Sequence, residues 1–196
     1  MLISLRPQSM RIISGLNEVA RRNPLATSLW FTAAKAGLAD AVVQTQLEKR
    51  SELDKQRLAT FTLFGFAYQG GFQYWMCNVL WERLFPGGTL VPVVKKILAT
   101  NLISDPVFFF PTFYSLREVM ARPHDVVAAP SSIVHAALSN YYKHCYEDWV
   151  NTWSVWFPGH CVTYGLAPIH LRMPWVATVS FGYLCILSAT RGDKSR

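Results

Sequence analysis

The chain of 196 residues is 51% hydrophobic and 14% aromatic, and only 16% of its residues are charged, against roughly 25% in an ordinary soluble domain. This composition excludes a disordered tail or an acidic linker, and the length allows one compact domain or a small membrane bundle. The net charge of +7 is compatible with anionic partners. Because the basic residues are scattered rather than striped along one helix, we expect no nucleic acid partner.

The first predicted element is a basic N-terminal segment, residues 1–24. Its apolar and basic helical pattern holds Glu18 as the single acid of the first 22 residues. This pattern resembles a mitochondrial targeting helix. It is equally compatible with a basic helix that lies beside a membrane and is never removed. The cations of the segment are Arg6, Arg11, Arg21 and Arg22.

Four stretches are predicted to span a membrane. Residues 58–81 form a run of 24 without a formal charge, and residues 173–190 form a second such run of 18 that begins beside a helix-starting proline. Residues 25–47 and 92–120 are also apolar but carry internal charges, and the second of them has internal prolines. Since unpaired backbone groups cannot face lipid, the prolines favour a bundle of neighbouring helices over isolated anchors.

A different helix is predicted at residues 129–156, where polar side chains recur at steps of four from Asn140 to Asp148. Its tryptophans suit a membrane interface, although a fifth crossing or a packed soluble helix would fit the same pattern. We therefore predict an all-α fold, an integral membrane helix bundle with about four spans plus an amphipathic interfacial helix. The bundle domain is predicted at residues 25–190 and a polar tail at 191–196.

Polar side chains inside the apolar stretches are the strongest functional signal. A charge at the centre of a span costs about 2.5 to 3.5 kcal/mol, so these groups are expected to pair or to face water. They are interpreted either as the lining of a solute path or as interhelical hydrogen-bond glue. The candidates are Lys35, Asp40, Gln44, Gln69, Gln73, Asn101, Asp105 and Arg172.

No pattern typical of catalysis or of nucleotide binding occurs in the chain. The two adjacent His-Cys pairs, at 144–145 and 160–161, point in different directions if helical and lie on separate segments, so we expect no metal site. The four cysteines form no CxxC motif and predict free thiols. We predict no cofactor, no catalytic residues and no enzymatic activity.

The last third of the chain carries a recognisable set of aromatic, proline and basic residues that ends in the string APIHLR at 167–172. It resembles the closing signature of the membrane-protein family that includes the mitochondrial inner-membrane protein Mpv-seventeen and the twenty-two-kilodalton peroxisomal membrane protein. The likeness extends over about residues 24–188 and includes Lys96, ten residues before Pro106. The signature positions are Trp153, Trp156, Pro158, His160, Pro168 and Arg172. Pro168 and Arg172 match the family pattern, whereas His160 replaces its Gln and Pro158 falls one place late.

The resemblance implies about four membrane helices, an organellar membrane, no known enzymatic reaction and a proposed role as a pore for small solutes. The chain departs from the family pattern at Thr100 and Asn101, where relatives commonly carry Asp-Gln. Two hypotheses follow. The first is a channel-like protein that passes small metabolites or ions through a polar interior. The second is a non-catalytic structural, lipid-contacting accessory subunit of a large mitochondrial inner-membrane complex.

The expected location is the mitochondrial inner membrane, with a peroxisomal or other organellar membrane as the alternative. The expected partners are membrane lipids, with other subunits of an inner-membrane complex or further copies of the chain as additional partners. We also expect Arg172 to be buried against an acid, for which Asp40 and Asp105 are the intramembrane candidates.

Overall fold

The structure is a computed structural model that describes the backbone of residues 7–192 and the side chains of residues 14–182. Every regular element in this part of the chain is helical, which confirms the all-α prediction. Arg6 and residues 193–196 of the predicted polar tail lie outside the described residues. The α-helices are α1 (Pro7–Arg22), α2 (Pro24–Val42), α3 (Lys55–Phe64), α4 (Trp81–Leu84), α5 (Leu90–Ala99), α6 (Phe110–Ala121), α7 (Asp125–Ala128), α8 (Pro130–Gly165) and α9 (Arg172–Gly192).

Local sequence signals account for several of the helix ends. Prolines occupy the first turn of α2 and of α8, where their missing N–H and fixed φ favour a helix start. Asp54 precedes α3 and its carboxylate accepts a hydrogen bond from the backbone N–H of Arg57 at 3.0 Å, as an N-cap residue does. A helix is present at the predicted position as α8, which continues to Gly165, and its interfacial location stays a prediction.

Wider, π-helical turns interrupt the α-helices, and a short 3₁₀ turn precedes α9. Five of the eight polar candidates, namely Gln44, Gln69, Gln73, Asn101 and Asp105, lie in these π-helical segments. Such turns are rare and occur frequently at functional sites. The π segments are Val43–Leu47, Gly65–Gln73, Met76–Leu80 and Thr100–Phe109, and the 3₁₀ turn is Ile169–Leu171.

The charge-free run 58–81 falls on α3, on two π segments and on the start of α4. Between residues 7 and 192, none of the helices combines the length with the apolar character that crossing a membrane requires. The four spans stay a prediction.

The chain divides into two compact units. Unit 1 comprises Met1–Asn78 and Ala167–Arg196, and unit 2 comprises Val79–Leu166. In unit 1, helix α2 packs on α3, on the π segment Gly65–Gln73 and on α9. In unit 2, helix α8 packs on α5 and α6.

Two glycines allow α2 to lie against its neighbour in unit 1. A Cβ atom added at Gly65 would lie 2.6 Å from the Cβ of Ala36, and one added at Gly70 would lie 2.6 Å from the Cα of Leu29. Real Cβ atoms do not approach other heavy atoms so closely. Small residues at a helix interface permit backbone contact of this kind, so the packing of unit 1 depends on these two positions.

Aromatic side chains form the core of unit 2. Buried Phe110 and Tyr114 of α6 pack with Ala137 and Tyr141 of α8. The Tyr141 hydroxyl donates to the carbonyl of Pro106 at 2.9 Å and accepts a hydrogen bond from the indole N–H of Trp149 at 3.0 Å. The Tyr141 hydroxyl and the Trp149 indole N–H are therefore both hydrogen-bonded inside an apolar cluster, as buried aromatic side chains with a polar atom require.

The neighbouring glycines Gly70 and Gly71 provide a direct test of the close approach in unit 1. Gly70→Ala is expected to lower the unfolding free energy by about 1 to 3 kcal/mol, because the added methyl group would force α2 to move. Gly71→Ala is the control, since its added Cβ would meet nothing closer than 3.7 Å. Thermal melts in mild detergent measure the difference, and equal melting temperatures for the two variants would contradict the packing described here.

Candidate functional site

A polar stripe at steps of four residues runs along α2 and faces the next helix of unit 1. The Ser28 hydroxyl donates to the carbonyl of Gly70 at 2.9 Å, and the Thr32 hydroxyl donates to the carbonyl of Gly65 at 2.7 Å. Ser28 and Thr32 were not among the predicted polar candidates, although their spacing from Asp40 and Gln44 in steps of four residues indicated that they share a helix face. These groups bind backbone rather than line an open path.

Lys35 and Gln69 join α2 to the same π segment. The Lys35 ammonium donates to Oε1 of Gln69 at 3.0 Å. Both residues were predicted polar candidates, and the structure brings them together. Gln73 is half-buried, and its side chain makes no hydrogen bond with a described residue.

Asp40 and Gln44 lie at the end of this stripe in a group that we call the α2–α3 polar cluster, formed by Asp40, Gln44, Glu48, Asp54 and Arg57. The Arg57 Nε atom lies 2.8 Å from Oδ1 of Asp40, and Nη1 of Arg57 donates to Oε1 of Glu48 at 2.6 Å. The side-chain amide of Gln44 donates to Oδ2 of Asp40 at 2.6 Å. The Oε1 atom of the same Gln44 side chain accepts a hydrogen bond from the backbone N–H of Asp54 at 2.6 Å. The cluster thus fixes the loop between the two helices.

The ion pair of Asp40 with Arg57 was not predicted, because Arg57 lies just outside the charge-free run. Arg172 is buried, as expected, with 6% of its surface exposed. Asp40 is already paired with Arg57, so the pairing of Arg172 with an acid stays a prediction.

Removing Arg57 should destabilise unit 1. The Asp40 side chain is 3% exposed, and Arg57→Gln would leave its carboxylate without a counter-ion, which costs up to about 3 kcal/mol. Arg50→Gln is the control, because the Arg50 side chain is 45% exposed and such pairs contribute under about 1 kcal/mol. Adding Asp40→Asn to Arg57→Gln should restore part of the melting temperature. If the effects of Arg57→Gln and Asp40→Asn on the melting temperature simply added in the double variant, the ion pair would be refuted. If Asp40 lined a pore instead, its substitution would change solute flux without lowering the melting temperature.

Glu48 makes the stability contributed by the α2–α3 polar cluster depend on pH. The hydrogen bond from Arg57 lowers the pKa of Glu48 below its ordinary value. A carboxylate with a lowered folded pKa stabilises the protein above its unfolded pKa of about 4.3, and the stabilisation disappears as the pH falls through the folded pKa. Wild type should therefore melt above Glu48→Gln at pH 7, and the gap should close below about pH 4.3. Glu52→Gln, which alters an exposed acid of the same loop, should show no such gap, and a gap of constant size across this range would count against the Arg57 contact.

In unit 2, Lys96 is the most deeply buried cation, with 1% of its surface exposed. Its ammonium donates to Oε1 of Glu82 at 2.7 Å and to the carbonyl of Gly87 at 3.0 Å. Gly87 has a φ of +100°, a conformation that favours glycine and that aims this carbonyl at the lysine. Lys96 was absent from the predicted site residues, although its spacing from Pro106 in the family pattern pointed to it.

One helical turn beyond Lys96, Thr100 and Asn101 are fully buried. The Thr100 hydroxyl shares a 2.7 Å hydrogen bond with the hydroxyl of Tyr164. The Asn101 amide donates to the carbonyl of Ile97 at 2.9 Å, and the Asn101 backbone carbonyl accepts from the indole N–H of Trp153 at 3.0 Å. The side-chain oxygen of Asn101, however, has no hydrogen-bond partner among the described residues.

Asp105 lies four residues after Asn101 on the same π-helical segment. It is 6% exposed, and its carboxylate makes no hydrogen bond or ion pair with a described residue. Burying a carboxylate costs several kcal/mol unless it is paired, protonated or in contact with water. The side-chain oxygen of Asn101 and the carboxylate of Asp105 therefore form a polar face in unit 2 whose acceptors have no described partner.

The predicted signature residues are distributed over both units. In α8, the Trp156 and His160 rings stack with centroids 5.1 Å apart, and Pro158 lies inside the same helix. In unit 1, the carbonyl of Pro168 accepts a hydrogen bond from the backbone N–H of Leu171 at 2.8 Å and so forms the turn that precedes α9.

Comparison with known proteins shows a similarity to one family. Residues 135–188, which span most of α8 and α9, match the Mpv17 / PMP22 family. Protein SYM1 of Debaryomyces hansenii is 24% identical over 91% of this chain and 87% of its own length. Protein sym-1 of Neurospora crassa is 25% identical over 87% and 93%, and Mpv17-like protein of Xenopus laevis is 22% identical over 88% and 80%.

The chain is therefore similar to the Mpv17 / PMP22 family over residues 135–188 and to these three relatives over most of its length. No solved structure matches the chain. Within its described side chains, no group of three or more His, Cys, Asp or Glu residues is arranged to hold a metal ion. Cys77, Cys145 and Cys161 form no disulfide with a described residue, and Cys185 lies outside the described side chains. The absence of a catalytic role stays a prediction for this chain.

Proposed function

We propose that this chain belongs to the Mpv17 / PMP22 family and is an integral protein of the mitochondrial inner membrane that passes small polar solutes along a hydrated face of unit 2. Similarity to this family supports an organellar membrane. Large apolar side chains on the surface support the same environment, since Trp30, Leu63 and Leu90 are each more than half exposed. A peroxisomal membrane is the alternative location.

The polar face of Asn101 and Asp105 is the observation that carries this proposal. Residues four apart lie on one side of a helix, so the Asn101 side-chain oxygen and the Asp105 carboxylate, which both lack a described partner, belong to the same side of this segment. Intramembrane ionisable groups of this kind almost always face a water-filled cavity or a partner. Water and passing solutes would supply the hydrogen bonds that the described protein does not.

The proposed path favours cationic and neutral solutes over anions. Lys96, the cation nearest in sequence, is already paired with Glu82, whereas the Asp105 carboxyl group has no ion-pair partner among the described residues. Rings of acidic groups select cations by the same physics. The proposed lining residues are therefore Asn101 and Asp105 rather than the bonded groups of α2.

Flux through liposomes that contain the purified chain tests the proposal. Asp105→Asn should reduce the preference for potassium over chloride while it leaves the melting temperature unchanged or raises it, because an unpaired charge is removed from a buried site. Asp125→Asn is the matched control, since Asp125 lies in the short helix α7 and its side chain is 42% exposed. Wild-type liposomes that pass neither ion would overturn the solute path.

A structural, lipid-contacting role is the second candidate, and the α2 stripe favours it. Ser28, Thr32, Lys35 and Asp40 each bond to another helix within unit 1, which is what interhelical glue requires. Native electrophoresis of a mild-detergent extract separates the two candidates. Migration only within a large assembly would favour an accessory subunit, whereas a small species that conducts ions would favour the channel.

A further inference from the structure

An apolar groove lies on the surface of unit 1 between α2 and α3. Its volume is about 400 Å³, within the roughly 300 to 1,000 Å³ of ligand pockets in general. The walls include Trp30, Ala33, Leu58, Leu63 and Phe66. The rings of Trp30 and Phe66 meet edge to face, with centroids 5.4 Å apart, and close one end.

The groove offers almost no polar group to a ligand along its length. Thr62 lines it, but the Thr62 hydroxyl already donates to the carbonyl of Leu58 at 2.8 Å. Leu63 and Trp30 are 64% and 69% exposed, so the walls are open to the surroundings. A long apolar chain fits this surface better than a polar solute does.

The opposite end of the groove carries a cation. Lys55 is the first residue of α3, lines the groove and is exposed. Its ammonium makes no hydrogen bond or ion pair with a described residue, whereas Arg50 and Arg57 of the same region are paired with acids. The positive end of the α3 dipole adds to this charge.

The length of the groove matches one leaflet of a bilayer. From Lys55 to Phe66 the helix advances by about 16 Å, at about 1.5 Å per residue. Half of a hydrocarbon core roughly 30 Å thick is about 15 Å. A headgroup at Lys55 would therefore place the end of an acyl chain beside Trp30 and Phe66.

We propose that this groove is a binding site for one anionic phospholipid, with its phosphate at Lys55 and an acyl chain along Leu58, Leu63 and the Trp30–Phe66 pair. Charge complementarity identifies an anionic lipid rather than a neutral one. The site rests on the membrane location proposed above, but it does not depend on the solute path of unit 2. It assigns a function to a surface that neither the polar candidates nor the family signature include.

Quenching of tryptophan fluorescence by brominated acyl chains tests the site. The full-length protein is placed in phosphatidylcholine vesicles, and phosphatidylglycerol with brominated chains is titrated in. A saturable part of the quenching should appear at low mole fraction of phosphatidylglycerol and should disappear in Trp30→Phe, which leaves the other six of the seven tryptophans in place. Quenching that rises only linearly, as it does for bulk lipid, would overturn the proposal.

Two further variants separate the headgroup from the chain. Lys55→Gln should weaken the preference for phosphatidylglycerol over phosphatidylcholine by about fivefold, the contribution of one lysine at an anionic surface. Ala59→Phe should fill the groove and abolish the saturable quenching while Lys55 is intact, since Ala59 is exposed and lines it. Lys49→Gln, at an exposed cation outside the groove, should behave as wild type. Unchanged binding in Ala59→Phe, or equal weakening by Lys49→Gln, would refute a defined site.

Vesicle flotation keeps this proposal distinct from the proposed function. Wild-type protein that does not float with vesicles would remove the membrane location itself. Protein that floats but shows no saturable quenching would refute the groove alone. A groove that serves instead as a contact between two copies of the chain would appear as a dimer that Leu63→Gln dissociates, and that outcome would also overturn the lipid site.

Discussion

The backbone contact between α2 and the π segment Gly65–Gln73 is the constraint on which unit 1 depends. Gly65 and Gly70 bring the two helices within reach of short hydroxyl side chains, so Ser28 and Thr32 can bond to carbonyls of the neighbouring backbone. A π-helical turn displaces some of its own carbonyls from the usual hydrogen-bond pattern. Hydroxyl donors from α2 therefore stabilise a local geometry that is costly by itself.

The two units differ in the polar groups that support their helix contacts. In unit 1 the hydroxyls of Ser28 and Thr32 bond to the neighbouring helix, and the α2–α3 polar cluster holds the connecting loop by an ion pair and an amide bridge. In unit 2 the π segment Thr100–Phe109 is supported from α8, since Trp153 and Tyr141 donate to its carbonyls. These aromatic donors satisfy backbone oxygens, but they leave the Asn101 side-chain oxygen and the Asp105 carboxylate without a described partner.

Much of the fold was predictable because proline and apolar periodicity are local signals. The starts of α2 and α8 follow from Pro24 and Pro130, and α9 begins at Arg172, one residue before the predicted stretch. The π-helical turns were not predictable, because their residue spacing differs little from that of an α-helix in an apolar sequence. The partner of Asp40 was also missed, since ion pairs such as that with Arg57 depend on how a loop returns the chain, which composition does not record. The groove escaped notice for the same reason, because its walls come from two helices.

The composition of unit 1 from both ends of the chain has a consequence for biosynthesis. Helix α9 packs on α2, although the whole of unit 2 lies between them in sequence. Chains emerge N-terminus first, and contacts between distant segments form slowly because a long loop must close. All of unit 2 has been synthesised once residue 166 is made, whereas α2 cannot form its contact with α9 until α9 has been synthesised. A premature stop codon that removes α9 would therefore damage the unit whose first helices are synthesised earliest, and newly made α2 would need a chaperone or lipid to cover the face that packs on α9 until α9 has been made.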